Sequence, residues 1–267
     1  MSRNSAEDYR LQVNWSEKTV LITGASSGIG EALAVEFGRR GASVGLLARR
    51  AGVLREVAAR VEAAGGRALA VAVDVRDAGE VKSAVAKVSE GFGSVDVLVA
   101  NAGQGERTLA REFDIEVATQ VLSVNLLGAM NSVAAVLPQM IARGAGQIVG
   151  VSSLAAYRGF PGSGAYCASK AALSTFFESL RVELRPSNIY VTTIHPGFID
   201  TPMTRGRNRR MPFLQDAERA AQLMLRAIEA RRRTYAFPWQ LAAIARVGRW
   251  LPAALYDRML ARARFRE

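Results

Sequence analysis

Tyr166 and Lys170 stand four residues apart in the run Gly164-Ala165-Tyr166-Cys167-Ala168-Ser169-Lys170. Side chains at i and i+4 share one face of a helix, so the ammonium can stand beside the phenol. A free tyrosine titrates near pH ~10, too high for proton transfer in neutral water. A neighbouring cation favours the phenolate and lowers that value, each unit being worth about 1.4 kcal/mol. Upstream, the pair Ser152-Ser153 closes an apolar run that reads as a strand. Together these groups suit the passage of a proton to or from an alcohol oxygen.

The elements around them alternate. Predicted strands cover 18–23, 43–47, 68–73, 95–100, 146–152, 189–194 and 234–237. Predicted helices cover 29–40, 51–64, 77–91, 165–184 and 216–230. Gly41 ends the first helix and Gly65-Gly66 the second, as glycines just past a helix end do. This rhythm implies a Rossmann-type, doubly wound parallel α/β sheet with helices on both faces. Residues 117–142 carry no charge. Asn125, Asn131, Ser123, Ser132, Gln120 and Gln139 interrupt that stretch at a density costly in lipid, so it reads as a long, largely buried helix rather than a membrane span.

Thr23-Gly24-Ala25-Ser26-Ser27-Gly28-Ile29-Gly30 joins the first strand to the first helix. Glycines let the backbone turn sharply and approach a pyrophosphate, and the free N–H groups of the helix start favour the anion. The TGxxxGxG turn, Asn101-Ala102-Gly103, Asn125, Ser153, the Tyr166/Lys170 pair and Pro196-Gly197 occur in the order seen in short-chain dehydrogenases/reductases. The chain resembles that family from about residue 18 to residue 237. The resemblance implies an enzyme interconverting a carbonyl and a secondary alcohol with a nicotinamide cofactor. It makes Ser153, rather than Ser152, catalytic beside Tyr166 and Lys170, and Asn125 the holder of a water-mediated proton path. It places the phosphates at Gly24, Ser26, Ser27, Gly28, Ile29 and Gly30. Asp74-Val75 would meet the adenine, Asn101-Ala102-Gly103 would border the ribose and steady the sheet, and Pro196, Gly197 and Thr201 would flank the nicotinamide. Relatives often pair through their long helices, which implies a homo-oligomer.

The second strand ends Leu46-Leu47-Ala48-Arg49-Arg50, with no carboxylate before Glu56. An acid there would bond the 2′-hydroxyl of NAD. Arginine instead welcomes a 2′-phosphate. The expected cofactor is therefore NADP(H), with Arg49 the main contact and Arg50 a further one. The chemistry requires no metal, and no cluster of metal-ligand residues is visible. His195, the single histidine, directly precedes Pro196-Gly197 and reads as structural. Cys167 reads as a small packing side chain.

A chain of 267 residues with 49% hydrophobic residues suits one large domain. One cysteine allows no internal disulfide, and the polar segment 1–14 lacks a secretory pattern; both fit a cytoplasmic protein. The net charge is +11, and residues 231–267 hold nine arginines against two acids. The catalytic unit is expected over 1–237 and a basic amphipathic helical extension over 238–267. That extension suits either an anionic membrane surface or packing on the protein itself. Residues 203–215, rich in arginine, are expected to form a lid whose Met203, Met211, Phe213 and Leu214 line an apolar mouth. The expected substrate is a small carbonyl or alcohol of apolar, lipid-like character. Net charge alone suggests nucleic acid, but no aromatic-rich recognition motif accompanies it. A catalytically silent cofactor-binding sensor is the competing function, and the intact Ser153, Tyr166 and Lys170 argue against it.

Overall fold

The computed structural model describes residues 13–205 and 211–262. The lid arginines Arg207, Arg209 and Arg210, and Arg264 and Arg266 of the tail, lie outside the described residues.

The strands are β1 (Thr19–Thr23), β2 (Ser43–Ala48), β3 (Arg67–Ala72), β4 (Val97–Ala100), β5 (Gly146–Val151), β6 (Ile189–Pro196), β7 (Ile199–Asp200), β8 (Gln215–Asp216) and β9 (Thr234–Phe237). The helices are α1 (Gly28–Gly38), α2 (Ala51–Ala63), α3 (Ala78–Phe92), α4 (Ile115–Leu122), α5 (Gly128–Arg143), α6 (Gly164–Glu183), α7 (Ala217–Glu229), α8 (Trp239–Arg249) and α9 (Ala253–Arg262). Seven parallel strands form one sheet in the order β3-β2-β1-β4-β5-β6-β9. β7 and β8 pair separately.

β1 is buried along its whole length, because parallel strands covered on both faces are apolar on both. Its side chains alternate between two cores. Val20 and Ile22 join Leu33 and Phe37 of α1, Val57 and Val61 of α2 and Met224 and Ile228 of α7. Leu21 joins Val81, Val85 and Val88 of α3, Val133, Val136 and Met140 of α5 and Leu173 and Phe177 of α6. Asp77, Asp114 and Asp216 cap α3, α4 and α7 by accepting backbone N–H bonds of the first turn. Gly65 closes α2 at φ 102°. Gly41 closes a turn beyond α1 rather than the helix itself, which ends at Gly38.

The long apolar stretch is a continuous helical rod, Ile115–Arg143, but it is not largely buried: 39% of its most apolar part is buried. One side packs on α3 and α6, and Leu127 and Ile141 face outward. Its hydrogen-bond ladder also changes. Ser123–Leu127 forms a π turn between α4 and α5, and Asn125 is fully buried within it.

After β9 the chain returns across the protein. Arg158 Nη1 donates to the carbonyls of Gly248 and Leu251, each at 2.7 Å, at the end of α8. Its guanidinium lies 4.0 Å from the ring centre of Tyr256 in α9. The Tyr256 hydroxyl donates to Gly159 O at 2.6 Å. Of the two placements expected for the tail, packing on the protein is thus present.

Phe177 fills the space above Gly150, where a Cβ would meet its ring at 2.6 Å. Phe177→Ala leaves a cavity between α6 and the sheet, and urea denaturation should show a loss of about 3–5 kcal/mol.

Candidate active site

Strand order reverses between β1, which continues to β2 and β3, and β4, which continues to β5, β6 and β9. Ligands of doubly wound sheets bind at the carboxyl ends of the strands flanking such a switch point. A cleft of about 330 Å³ lies there. Its lining includes Gly24, Ser26, Ser27, Gly28 and Ile29 from the first turn, Arg49 and Arg50 after β2, and Asp74 and Val75 after β3. Asn101, Ala102 and Gly103 enter after β4, Ser153 after β5, Tyr166 and Lys170 from α6, and Pro196, Gly197 and Thr201 after β6. Gly30 and Asn125 are outside the lining and act from behind it. A Cβ at Gly30 would stand 2.3 Å from Gly24 O and 2.6 Å from Asn101 Nδ2. Gly24 itself holds φ 67°, and a Cβ there would stand 2.8 Å from Ala102 Cα. The turn can therefore be built only without those side chains, and it brings the start of α1 to the cleft. These features fit a dinucleotide, with its pyrophosphate at the α1 N-terminus.

Asn101 bonds within the protein. Its Nδ2 donates to Thr23 O at 3.0 Å, and Thr23 Oγ1 accepts the N–H groups of Asn101 and Ala102, each at 3.1 Å. This ties β4 to the glycine turn. Arg50 Nη2 donates to Ser26 O and Oγ, both at 3.0 Å, so its guanidinium is anchored beside the phosphate turn. Arg49 is exposed at the rim. The Asp74 carboxylate is gripped by Arg76, with Nη2 at 2.7 Å, and that hydrogen bond holds it below the usual carboxylate range.

At the other end, Lys170 is buried and its Nζ donates to Val151 O at 2.9 Å. Burial pushes its pKa down to about 8. The same Nζ lies 5.9 Å from the Tyr166 ring centre, as the i, i+4 spacing implies. Ser152 and Ser153 part company. Ser152 Oγ donates to Lys170 O at 2.9 Å and stands 2.7 Å from Ser174 Oγ, so it is committed to holding α6. Ser153 is half-buried, accepts the Ala155 N–H at 3.1 Å, lines the cleft, and donates its own O–H to no acceptor among the described residues. Asn125 Oδ1 accepts the Gln104 N–H at 2.7 Å, while Nδ2 donates to Gln104 O at 3.0 Å and Ser169 Oγ at 2.9 Å. Its amide therefore fastens the loop after β4 to α6.

Three contributors escaped the sequence reading. Gln104 is gripped through its backbone, which no side-chain motif signals. Thr204 Oγ1 donates to Ile199 O at 2.6 Å and accepts the Thr201 N–H at 3.0 Å, folding the segment after β7 against the cleft. The Thr201-x-x-Thr204 spacing was its visible sign. Ser174 bridges Ser152 to His195 Nε2, 3.2 Å away.

The doubly wound sheet and the cleft at its switch point define a dinucleotide-binding α/β protein. Comparison with known proteins makes this specific. The family profile "short chain dehydrogenase" matches residues 18–212. An uncharacterized oxidoreductase of Myxococcus xanthus is 42% identical over 93% of this chain and 98% of its own. The 2-(R)-hydroxypropyl-CoM dehydrogenase of Xanthobacter autotrophicus is 39% identical over 71% of this chain and 78% of its own. A crystal structure from Sinorhizobium meliloti 1021, described as a short-chain alcohol dehydrogenase, is similar with a TM-score of 0.68 and 38% identity, covering 71% of this chain and 75% of that one. This chain belongs to the short-chain dehydrogenase/reductase family. It is an NAD(P)-dependent oxidoreductase of the class acting on CH–OH and C=O groups.

His195 is buried, and desolvation first, then Arg246 and Lys170, push its pKa from 6.5 down to about 4. The native imidazole therefore stays neutral while the unfolded one takes up a proton. As pH falls from 6.5 towards 4 the unfolded state binds more protons, and stability drops, by about 3 kcal/mol across the window from this group. Denaturation curves of wild type and His195→Gln between those limits should show a shallower pH slope in the variant.

Proposed function

We propose that the protein is an NADPH-dependent reductase that converts an apolar carbonyl substrate to its secondary alcohol and, with the reverse proton flow, oxidises the alcohol. The observation that carries this reading is the meeting of Ser153, Tyr166 and Lys170 with Arg49 and Arg50 in one cleft. When bound, the reduced nicotinamide supplies the hydride that carbonyl reduction needs.

The chain's own groups would do the rest. Ser153 donates its O–H to the carbonyl oxygen and fixes it. Tyr166 donates its phenolic proton to the same oxygen as charge builds there. Lys170 stabilises the phenolate left behind and bonds the nicotinamide ribose. Because burial holds the amine near pH 8, that support is full below pH 8 and fades above it. Asn125 keeps the Gln104 loop and α6 in register and lies behind the proton path from Lys170 to water. Gly24, Ser26, Ser27, Gly28, Ile29 and Gly30 form the pyrophosphate cradle, and Asp74, Val75, Asn101, Ala102 and Gly103 the adenosine wall. Pro196, Gly197 and Thr201 flank the nicotinamide.

NADP(H) is favoured over NAD(H) because Arg49 and Arg50 follow β2 where an acid would meet a free 2′-hydroxyl. Arg49 is the main partner of the 2′-phosphate. Arg50, already anchored on Ser26, adds positive charge beside it. The apolar substrate class rests on Met203 in the lining and on Phe213 and Leu214, which are exposed just before β8 and so next to β7. The catalytic unit spans 1–237 and the extension 238–267. We place the protein in the cytoplasm as a homo-oligomer.

Arg49→Ala should raise the KM for NADPH about ten- to a hundredfold and leave that for NADH nearly unchanged. A wild type that prefers NADH would overturn the assignment. Tyr166→Phe should lower kcat for carbonyl reduction by about 10²–10⁴ while NADPH binding, followed by its fluorescence, persists. Unchanged turnover would remove the phenol from the mechanism.

A further inference from the structure

A helix on the surface of a water-soluble domain ordinarily turns its apolar stripe inward and its polar residues outward. In α8 the outward side is apolar. Trp239, Val247 and Trp250 are 74%, 66% and 84% exposed, and Ile244 is 63% exposed. At 3.6 residues per turn, Trp239, Ala243, Val247 and Trp250 fall within about 80° of one another. Leu241 and Gly248, on the opposite side, are half-buried, and Ala242, about 95° from the centre of that stripe, is buried. α9 repeats the pattern: Leu255 and Met259, one turn apart, are exposed, while Tyr256 is held inward by Arg158. The tail is thus pinned to the protein by one side and presents greasy side chains on the other.

Exposed Arg246, Arg249 and Arg258 edge this face, and Asp257 is the single acid among residues 238–262. We propose that the outer face of α8 and α9 docks on an anionic lipid bilayer. Tryptophan and aliphatic side chains enter the headgroup boundary, and arginines reach the phosphates while their stems cover apolar surface. A second copy is the poorer occupant. A two-fold contact through this face brings the same patch against itself, and so sets cationic edges against cationic edges. The inner side of α8 backs on the cleft: a Cβ at Gly197 would meet Leu241 Cδ1 at 3.1 Å and Pro238 Cδ at 3.0 Å. Docking would therefore hold the cleft wall next to the lipid.

The test uses the full chain with phosphatidylcholine vesicles made with or without phosphatidylglycerol. Cosedimentation with the phosphatidylglycerol vesicles is expected, weakening as salt is raised. Tryptophan emission should shift to the blue, since Trp239 and Trp250 are exposed and Trp15 is already buried. The double variant Val247→Asp, Trp250→Asp alters side chains outside the cleft. It should keep NADPH binding and lose about tenfold or more in vesicle partitioning. The proposal falls if the wild type ignores anionic vesicles, or if the double variant binds them equally well. It also falls if the wild type stays in solution and the variant merely breaks up an oligomer, which would make this face a contact between copies.

Discussion

A lysine amine withdrawn from water is the constraint around which the catalytic half is organised. Burial lowers the Lys170 pKa to about 8, and no acidic partner among the described residues offsets it. An amine in that situation stays put only if the backbone around it cannot relax. Ser152 and Ser174 both donate to the Lys170 carbonyl, and Nζ donates to Val151 O at the end of β5. Ser169 Oγ donates to Tyr166 O at 2.7 Å and accepts from Asn125. The first turns of α6 are thereby sewn to β5, to the π turn and to the loop after β4. The residues proposed to carry the proton chemistry and those that hold the helix are interleaved in one short run.

The cofactor half uses a different economy of side chains. Its glycines exclude Cβ atoms so that backbone can meet backbone. Its polar side chains mostly bond to the protein: Thr23 to the β4 end, Asn101 to the glycine turn, Asp74 to Arg76 and Arg50 to Ser26. Both arginines reach the rim, and Arg49 makes no such hydrogen bond among the described residues. A rigid cradle is the result, in which charge is added at the edge rather than in the middle.

Much of this was legible in the chain itself. The βα alternation, both ends of β9, the glycine turn and the i, i+4 pair depend on local periodicity or on a backbone demand for glycine, and these are written in neighbouring residues. Strand and helix ends shifted by one or two residues, because caps such as Asp77 and Asp216 stand outside the helices they start. The features that could not be read are long-range. Nothing near Arg158 announces that it will close the end of α8, about ninety residues on. Nothing in Ser-Val-Asn-Leu-Leu marks a π turn, and the partners its Asn125 amide bonds, Gln104 and Ser169, lie 21 and 44 residues away. The burial of the 115–143 rod was overestimated for a related reason: hydropathy counts apolar residues but not how many neighbours arrive to cover them.

That π turn has an implication for how this chain tolerates changes in length. A π turn holds one residue more than the α-helical path it replaces. Val121 and Val133 are both buried, yet on an unbroken helix their twelve-residue spacing would set them about 120° apart; with one residue fewer the angle is about 20°. Excising a single residue between 123 and 127 would therefore let the rod straighten while its two halves stayed in phase. Such a shortened protein would retain its interior and forfeit the amide that fastens the site, so folding and activity are separable by one codon.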